Sequence, residues 1–134
     1  MRILALDVGK RRIGIAVSDP LGMIAKPHST IERNKSCYER IHALVVELEV
    51  KKVLIGLPLH LDGTEGEQAK DVRMFAEKLA SAIQPVSIEF KDERLSTVEA
   101  QQRLSDRYGD WRKHKSRIDA FAAATILEDY LRDR

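Results

Sequence analysis

Near its N-terminus the chain reads Ile3-Leu4-Ala5-Leu6-Asp7-Val8-Gly9. Four consecutive apolar residues before the acid are typical of a strand that is buried on both faces of a sheet. The pattern therefore predicts a central strand with Asp7 at its end. Gly9 predicts a tight turn immediately afterwards, because glycine adopts backbone conformations that are costly for other residues.

Two further strands follow this turn. Residues 13–18 read as a second strand, which we expect to form a hairpin with the first. A third strand is predicted within residues 23–31, where Pro27 lacks the N–H group that a central strand needs. The sequence thus predicts three antiparallel strands, with the Pro27 strand at one edge of the sheet.

Helical patterns appear in the rest of the chain. Three spacings of the capping-box type, in which Glu follows Ser or Thr at the third position, predict helix starts at Ser36, Thr64 and Ser96. A last helix is predicted from about Ser116 to Leu131. These segments alternate with short apolar runs that read as strands.

The predicted order of elements is β-β-β-α-β-α-β-α-α, with the last two strands at residues 53–55 and 86–90. Helical crossovers make these later strands parallel, and such crossovers are right-handed in about 98% of cases. The result is an α/β fold of the ribonuclease H-like class. Its mixed five-stranded sheet has three antiparallel strands, then parallel strands, and is flanked by helices. We expect a single domain over residues 1–134, because the sequence contains no repeat or linker.

Composition excludes several classes of protein. The 134 residues are 43% hydrophobic and 33% charged, as in an ordinary globular domain. No apolar run approaches the roughly 20 residues of a membrane span, and the first residues lack the pattern of a signal peptide. We therefore expect a cytoplasmic protein without a membrane partner, either a monomer or a weak homodimer. The single cysteine, Cys37, predicts neither an internal disulfide nor a zinc site.

Three acidic residues fall where this fold brings the ends of elements together. Asp7 ends the central strand, Glu93 lies just past the fifth strand, and Asp119 lies in the first turn of the last helix. Taken alone, each acid has a structural explanation. Asp7 is explained by a hydrogen bond to its own turn, Glu93 as a solvated loop carboxylate, and Asp119 as a charge that complements the positive end of its helix. Together they can hold two metal ions about 4 Å apart, an arrangement that catalyses phosphodiester hydrolysis. Their hard oxygen atoms favour Mg²⁺ or Mn²⁺ over zinc.

The charge around these acids bears on whether they bind metal. We expect no Lys or Arg side chain to neutralise the three carboxylates, which then repel one another until a cation arrives. Arg94, adjacent to Glu93, is the residue most able to contradict this expectation. It could pair with one of the acids and take the place of a metal.

Basic residues are concentrated in two places. The net charge is only +2, but the segment from Arg107 to Arg117 contains five Lys or Arg and a single acid, Asp110. This segment is either a nucleic-acid contact or a solvated connection, since short charge runs are usually solvated. Trp111 within it predicts either base stacking or an anchor for the last helix. The candidate nucleic-acid-binding residues are Lys10, Arg11 and Arg12, beside Asp7, and Trp111, Arg112, Lys113 and Lys115.

Four ordered motifs span nearly the full chain. They are Leu6-Asp7-Val8-Gly9 with residues 12–19, Gly56-Leu57-Pro58-Leu59 with residues 62–66, residues 92–100, and Ile118-Asp119-Ala120 with Ala122-Ala123. These motifs resemble the YqgF family of pre-16S rRNA nucleases, which are also called Holliday-junction-resolvase-like proteins. The resemblance implies a metal-dependent nuclease in the maturation of pre-16S rRNA. It also implies that Asp7, Glu93 and Asp119 are the catalytic residues.

Some positions depart from the family pattern. Ala5 stands where Gly often precedes the Leu-Asp pair, Ser96 where Thr is frequent, and His60-Leu61 where Asn-Met is common. The first two changes are conservative. His60 follows a strand end, so it is either a titratable ring near the acids or an ordinary surface histidine.

Other functions fit parts of the sequence. A resolvase of branched DNA would use the same acids, and the sequence does not distinguish RNA from DNA as substrate. A non-catalytic RNA- or protein-binding module of ribosome assembly or transcription would keep the fold, although the presence of all three acids favours catalysis. Asp7-x-Gly9 followed by Gly14 is also similar to a phosphate loop of actin-like ATPases and sugar kinases. Those proteins need a second related domain, which we do not expect in 134 residues.

Overall fold

The computed structural model describes residues 1–93, 98–110, 113 and 117–134. Its elements follow one another in the predicted order, β-β-β-α-β-α-β-α-α. The strands are β1 (Arg2–Val8), β2 (Arg12–Ser18), β3 (Ala25–Glu32), β4 (Val50–Leu57) and β5 (Ser87–Asp92). The helices are α1 (Cys37–Glu47), α2 (Glu67–Ile83), α3 (Val98–Tyr108) and α4 (Ile118–Asp133).

The five strands form one mixed sheet in the order β3-β2-β1-β4-β5. On one side of β1, the pairs β1–β2 and β2–β3 are antiparallel, and on the other side β1–β4 and β4–β5 are parallel. The predictions of a central first strand and of a ribonuclease H-like fold are therefore confirmed. Pro27 lies in the edge strand β3, next to a shift of register between Ile15 and Ala16 of β2, as its missing N–H requires.

Alternate residues of β1 face different helices, because successive side chains of a strand point to opposite faces of the sheet. Leu4 and Leu6 belong to the apolar cluster that packs against α1 and α2. Ile3 and Ala5 belong to the cluster that packs against α4. Asp7 continues this second series, so its side chain lies on the α4 side of the sheet.

Small residues allow α4 to lie close to this face. Gly14 of β2 pairs with Asp7 of β1. A Cβ atom at Gly14 would overlap the backbone carbonyl of Asp119 in the first turn of α4. Ala5 and Ala16 are fully buried on the same face and leave similar room. The first turn of α4 therefore reaches the end of β1.

The helices pack through apolar faces. α2 buries Val72, Phe75 and Leu79 in the cluster beneath it. Cys37 at the start of α1 is also buried, and its thiol is free. Within the described ranges, no helix combines the length and the apolar character needed to cross a membrane.

The side chains predicted to cap α1 and α2 bind elsewhere. α1 does begin after Ser36, but the Ser36 hydroxyl donates to Asn34 Oδ1 at 2.8 Å and makes no capping bond to the helix. α2 begins at Glu67, later than predicted, and Thr64 donates to Asp62 Oδ1 at 2.7 Å in the preceding loop. In both cases a nearby Asn or Asp side chain competes with the helix for the hydroxyl.

The last two helices lie close to their predicted positions. α4 begins and ends about a half-turn later than the prediction, with Arg117 preceding its first residue. α3 ends at Tyr108. Ser96 and Ser116, the predicted starts of these two helices, lie outside the described residues.

A buried glutamate joins α3 to α4. Glu128 of α4 is 4% exposed. It accepts hydrogen bonds from Arg103 Nε at 3.3 Å and from a terminal guanidinium nitrogen of Arg107 at 3.2 Å. Arg107 and Tyr108 also donate to the carbonyl of Ala25, each at 3.1 Å. The charge of Arg107, at the start of the basic segment, is therefore compensated within the fold.

We expect Glu128→Gln to lower the free energy of unfolding by about 1–3 kcal/mol, because the amide leaves two partly buried guanidinium groups without a countercharge. Urea unfolding followed by circular dichroism measures the change. The matched control is Glu77→Gln on the exposed side of α2, which should change the free energy of unfolding by less than about 0.5 kcal/mol. Equal stability of the two variants would contradict the role assigned to Glu128.

Candidate active site

Asp7 and Glu93 meet at one end of the sheet. Asp7 lies near the end of β1, and Glu93 follows directly after β5. β4 lies between these two strands and pairs in parallel with both, so their ends lie on the same side of the molecule. The two carboxyl groups are hydrogen-bonded to each other. The parallel part of the sheet thus joins two acids that are far apart in the sequence.

Gly56 of β4 provides the space that Glu93 occupies. A Cβ atom at Gly56 would lie 2.7 Å from Glu93 Cγ and 2.6 Å from Ile126 Cδ1. Real Cβ atoms do not approach their neighbours so closely, so Gly56 cannot carry a side chain without moving Glu93. We infer that Gly56 is needed because any larger residue would displace the side chain of Glu93.

Burial changes the acidity of both carboxyl groups. Desolvation raises the pKa of Asp7, the hydrogen bond from Glu93 opposes this effect, and the charge of Asp119 adds to it. Desolvation, the charge of Asp7 and the hydrogen bond to Asp7 raise the pKa of Glu93 to about 8. At neutral pH Glu93 is therefore protonated and donates its hydrogen to the Asp7 carboxylate.

Asp119 lies beside this pair, but its carboxylate binds Arg12. The distance from Arg12 Nε to Asp119 Oδ2 is 2.8 Å. The side chain of Asp119 is 28% exposed and that of Arg12 is 64% exposed, so the ion pair lies at the rim of the site. The expectation that no Lys or Arg neutralises the acids is therefore wrong for Asp119, because the start of β2 lies against the first turn of α4. Arg94, the residue expected to compete, lies outside the described residues.

The structure arranges the three predicted acids as a pair and a neighbour. Asp7 and Glu93 are in contact, and Asp119 is near enough for its charge to raise the pKa of Asp7. Among the described residues, no group of three or more His, Cys, Asp or Glu side chains is arranged to hold a metal ion. In this arrangement the carboxylate of Asp119 is bound by Arg12. The roles of the three acids in catalysis and metal binding stay predictions.

The predicted nucleic-acid-binding residues are described in part. Lys10 and Arg11 are exposed in the turn between β1 and β2, directly after the end of β1. Arg12 follows them and is engaged with an acid of the site. Lys113 is exposed. Trp111, Arg112 and Lys115 lie outside the described residues, so their predicted contacts and the two interpretations of Trp111 stay open.

The structure gives Gly9 a role that differs from the sequence-based prediction. Gly9 does not adopt the positive φ angle that would require glycine. Its N–H donates to the carbonyl of Arg12 at 2.9 Å, and a Cβ atom there would lie 2.9 Å from that oxygen. The exposed His60 packs its ring against Gly66, where a Cβ atom would lie 2.7 Å from His60 Cε1. Gly9 therefore allows two backbone segments to approach closely, and His60 is an exposed surface histidine.

Three features of the site were not predicted from the sequence. They are the pairing of Arg12 with Asp119 and the space that Gly14 and Gly56 leave for Asp119 and Glu93. The glycines did carry a signal, because the hairpin predicted from the sequence places Gly14 opposite Asp7. Nothing local in the sequence indicates the ion pair.

Comparisons with known proteins agree on a nuclease family. A family model described as "RuvX: Holliday junction resolvase" matches residues 1–133. A "putative pre-16S rRNA nuclease" of Crocosphaera subtropica is 44% identical over 133 residues, which cover 98% of this chain and 92% of the relative. A protein of the same name from Thermoanaerobacter pseudethanolicus is 45% identical over 134 residues, covering 98% of this chain and 96% of the relative.

A solved structure shares the fold. The Fowlpox virus resolvase, in complex with its substrate Holliday junction DNA, superposes with a TM-score of 0.62. The match covers 99% of this chain and 98% of the resolvase, at 10% sequence identity. At this identity the likeness supports the fold and carries no residue roles.

The raised pKa of Glu93 predicts that the metal-free protein loses stability as the pH rises. The folded protein keeps this proton up to about pH 8, whereas the unfolded chain releases it near 4.5. Between these values the folded state binds more protons, so the free energy of unfolding falls with pH, by at most about 1.4 kcal/mol per pH unit. Urea unfolding in EDTA across this window measures the slope.

Glu93→Gln removes the titrating group and should flatten this slope. Glu77→Gln, a control with the same chemical change on the exposed side of α2, should keep it. A wild-type slope in Glu93→Gln would show that another group is responsible.

Proposed function

Because the chain belongs to the family described as RuvX, Holliday junction resolvase, we propose that it is a metal-dependent nuclease in which Asp7, Glu93 and Asp119 act on a phosphodiester bond. The resemblance inferred from the motifs is confirmed by relatives named as pre-16S rRNA nucleases. One observation carries the assignment of the site: Asp7 and Glu93 are half-buried and in contact with each other at the end of the central strand, beside Asp119. Carboxyl pairs with strongly raised pKa values are typical of functional sites.

The chemistry of the donor set fits Mg²⁺ or Mn²⁺. Both cations prefer carboxylate oxygens, and Asp7, Glu93 and Asp119 would supply them. A bound divalent cation supplies Lewis acidity that activates water and stabilises the leaving oxygen. Because Glu93 must release its proton before it can act as a ligand, the affinity for the cation should increase up to about pH 8.

The residues of the β1–β2 turn would orient the substrate around the acids. Arg12 uses Nε to hold Asp119, and its other N–H donors remain available for a substrate phosphate. Lys10 and Arg11 are exposed on the same turn. Movement of the Arg12 guanidinium toward a phosphate would release the Asp119 carboxylate for metal binding. In the free protein, Arg12 keeps that carboxylate in position.

We propose precursor 16S rRNA as the substrate, in the maturation of the ribosome. The support is the name carried by relatives that are 44% and 45% identical over nearly the whole chain. This substrate would place the protein in the cytoplasm.

Branched DNA is the second candidate substrate. The observation in its favour is the description of the matching family as Holliday junction resolvases. Both substrates require hydrolysis of a phosphodiester bond, so the acids have the same roles in either case. Cleavage of precursor 16S rRNA and of a four-way DNA junction, measured side by side, decides between them.

We expect Asp7→Asn, Glu93→Gln and Asp119→Asn each to lower the cleavage rate by roughly a thousandfold or more while the fold is kept. The three residues act as one unit, so a double variant should be scarcely slower than a single one. Metal-dependent cleavage, with circular dichroism for the fold, measures both effects. Glu77→Gln is the control and should cleave at the wild-type rate. Full activity in any of the three variants would remove that residue from the site.

Mn²⁺ should raise the melting temperature of the wild-type protein but not that of Asp7→Asn. A ligand bound only by the folded state adds stability of RT ln(1 + [L]/Kd), which is about 2.7 kcal/mol at one hundred times Kd. Mn²⁺ is the better probe because Mg²⁺ retains much of its water and often needs substrate phosphate to complete its shell.

The quantity compared in this experiment is the shift caused by Mn²⁺, since Asp7→Asn also changes the metal-free stability. Glu77→Gln should show the wild-type shift. If millimolar Mn²⁺ shifts the wild type and Asp7→Asn equally, with and without nucleic acid, the non-catalytic binding module replaces the nuclease.

A further inference from the structure

Two adjoining cavities form a groove along the β3 edge of the sheet. The first has a volume of about 260 Å³ and lies between β3 and the start of α4. The second, of about 480 Å³, continues beside β3 toward the end of β2. Lys26, His28 and Tyr108 line both cavities, so they form one continuous surface, which we call the β3 groove.

The β3 groove is positively charged. Lys26 and Arg117 line its first cavity, are exposed, and form no ion pair with any residue in the described part of the chain. His28 also lines this cavity and shares a hydrogen bond of 2.8 Å with the Ser29 hydroxyl. No carboxylate is among the described residues that line this cavity. A polyanion would therefore meet two uncompensated cations there.

Among the described residues that line the second cavity, Asp19 is the one acid, and its charge is engaged locally. Asp19 Oδ1 accepts hydrogen bonds from the backbone N–H groups of Met23 and Ile24, at 2.7 and 2.8 Å. These bonds lower the pKa of Asp19 and fix its carboxylate in the turn before β3. Asp19 lines the second cavity and not the first.

Aromatic rings form the floor of the groove at its first cavity. Tyr108 and Phe121 pack edge to face, with their ring centroids 6.2 Å apart. The Tyr108 hydroxyl is bound to the carbonyl of Ala25, so its ring is held in place. An aromatic ring in the same cavity as two cations offers a surface on which a base of a nucleic-acid strand can stack, which a free inorganic anion cannot use.

The groove begins beside the candidate active site. Arg117 immediately precedes α4, and Ala120 in the first turn of α4 also lines the first cavity. Asp119 lies between them in the sequence and belongs to the site. A nucleic-acid strand with one phosphate at the acids would therefore have neighbouring phosphates within reach of the groove.

We propose that the β3 groove binds the backbone of the substrate strand that flanks the scissile phosphate, with Lys26 and Arg117 contacting phosphates. This inference rests on the proposed nuclease function and extends it, since it assigns a path to the strand beyond the acids. Of the basic segment that precedes α4, the proposal assigns a phosphate contact to Arg117. It also assigns Lys26 and His28, which lie in β3, to the same binding surface.

The test measures the salt dependence of binding to fluorescein-labelled single-stranded RNA by fluorescence anisotropy, in EDTA so that no cleavage occurs. The slope of log affinity against log salt is negative, and each lost phosphate contact makes it shallower by about 0.7 on a single strand. Lys26→Ala/Arg117→Ala should therefore make the slope shallower by about 1.4. The matched control, Arg40→Ala/Lys78→Ala, removes the same two charge types from α1 and α2 and should leave the slope unchanged.

A second arm compares a short and a long RNA. The wild-type protein should bind the long RNA with the steeper slope, because only that RNA reaches both the acids and the groove. In Lys26→Ala/Arg117→Ala the difference between the two RNAs should disappear. Melting temperatures of both double variants, expected to match the wild type, exclude loss of fold as the cause.

The outcomes separate the groove from the nuclease function. Equal slopes in the two double variants, or no binding of RNA by the wild type, would overturn the proposal that the β3 groove binds the substrate strand. Cleavage by the wild type together with equal slopes would overturn the proposed role of the groove and leave the nuclease function standing. A slope that depends on Lys26 and Arg117, in a protein that cleaves neither precursor 16S rRNA nor a four-way DNA junction, would overturn the nuclease and leave the groove as a binding surface.

Discussion

The close approach of α4 to β1 and β2 is the constraint on which the site depends. Gly14 allows it, because any side chain there would overlap the backbone of Asp119. The same contact brings the start of β2 against α4, which lets Arg12 pair with Asp119. It also sets the depth of the groove beside β3, since α4 forms one of its walls. The distance between α4 and the sheet thus determines the position of Asp119, its pairing with Arg12 and the shape of the β3 groove.

Holding Asp7 and Glu93 together opposes folding. Two carboxyl groups that are withdrawn from water and face each other are less stable than the same groups in the unfolded chain, and their raised pKa values express this difference. Apolar packing on both faces of the sheet offsets it, with Ile3 and Leu4 of β1 fully buried on opposite sides. The site is therefore built on a strand that is packed on both faces, and this packing compensates for the cost of the acid pair.

The fold was predictable because its signals are local. The buried run before Asp7, the edge position of Pro27 and the helical periodicities each depend on a few neighbouring residues, and the order of strands follows from them. The pairing of Arg12 with Asp119 spans 107 positions and depends on strand register and helix packing together, so no local pattern contains it. The helix start at Thr64 was misplaced for a related reason: the spacing fits a capping box, but Asp62 binds the hydroxyl first.

Both edges of the sheet discourage the addition of another strand. β3 lacks a backbone donor at Pro27, and the carbonyl of Ala25 is already bound by side chains from α3. β5 is short and carries Glu89 and Lys91, which are held in ion pairs at the surface. Natural sheets use charged residues, prolines and register shifts in this way against edge-to-edge association. At high concentration these edges thus protect the molecules from stacking into extended ladders.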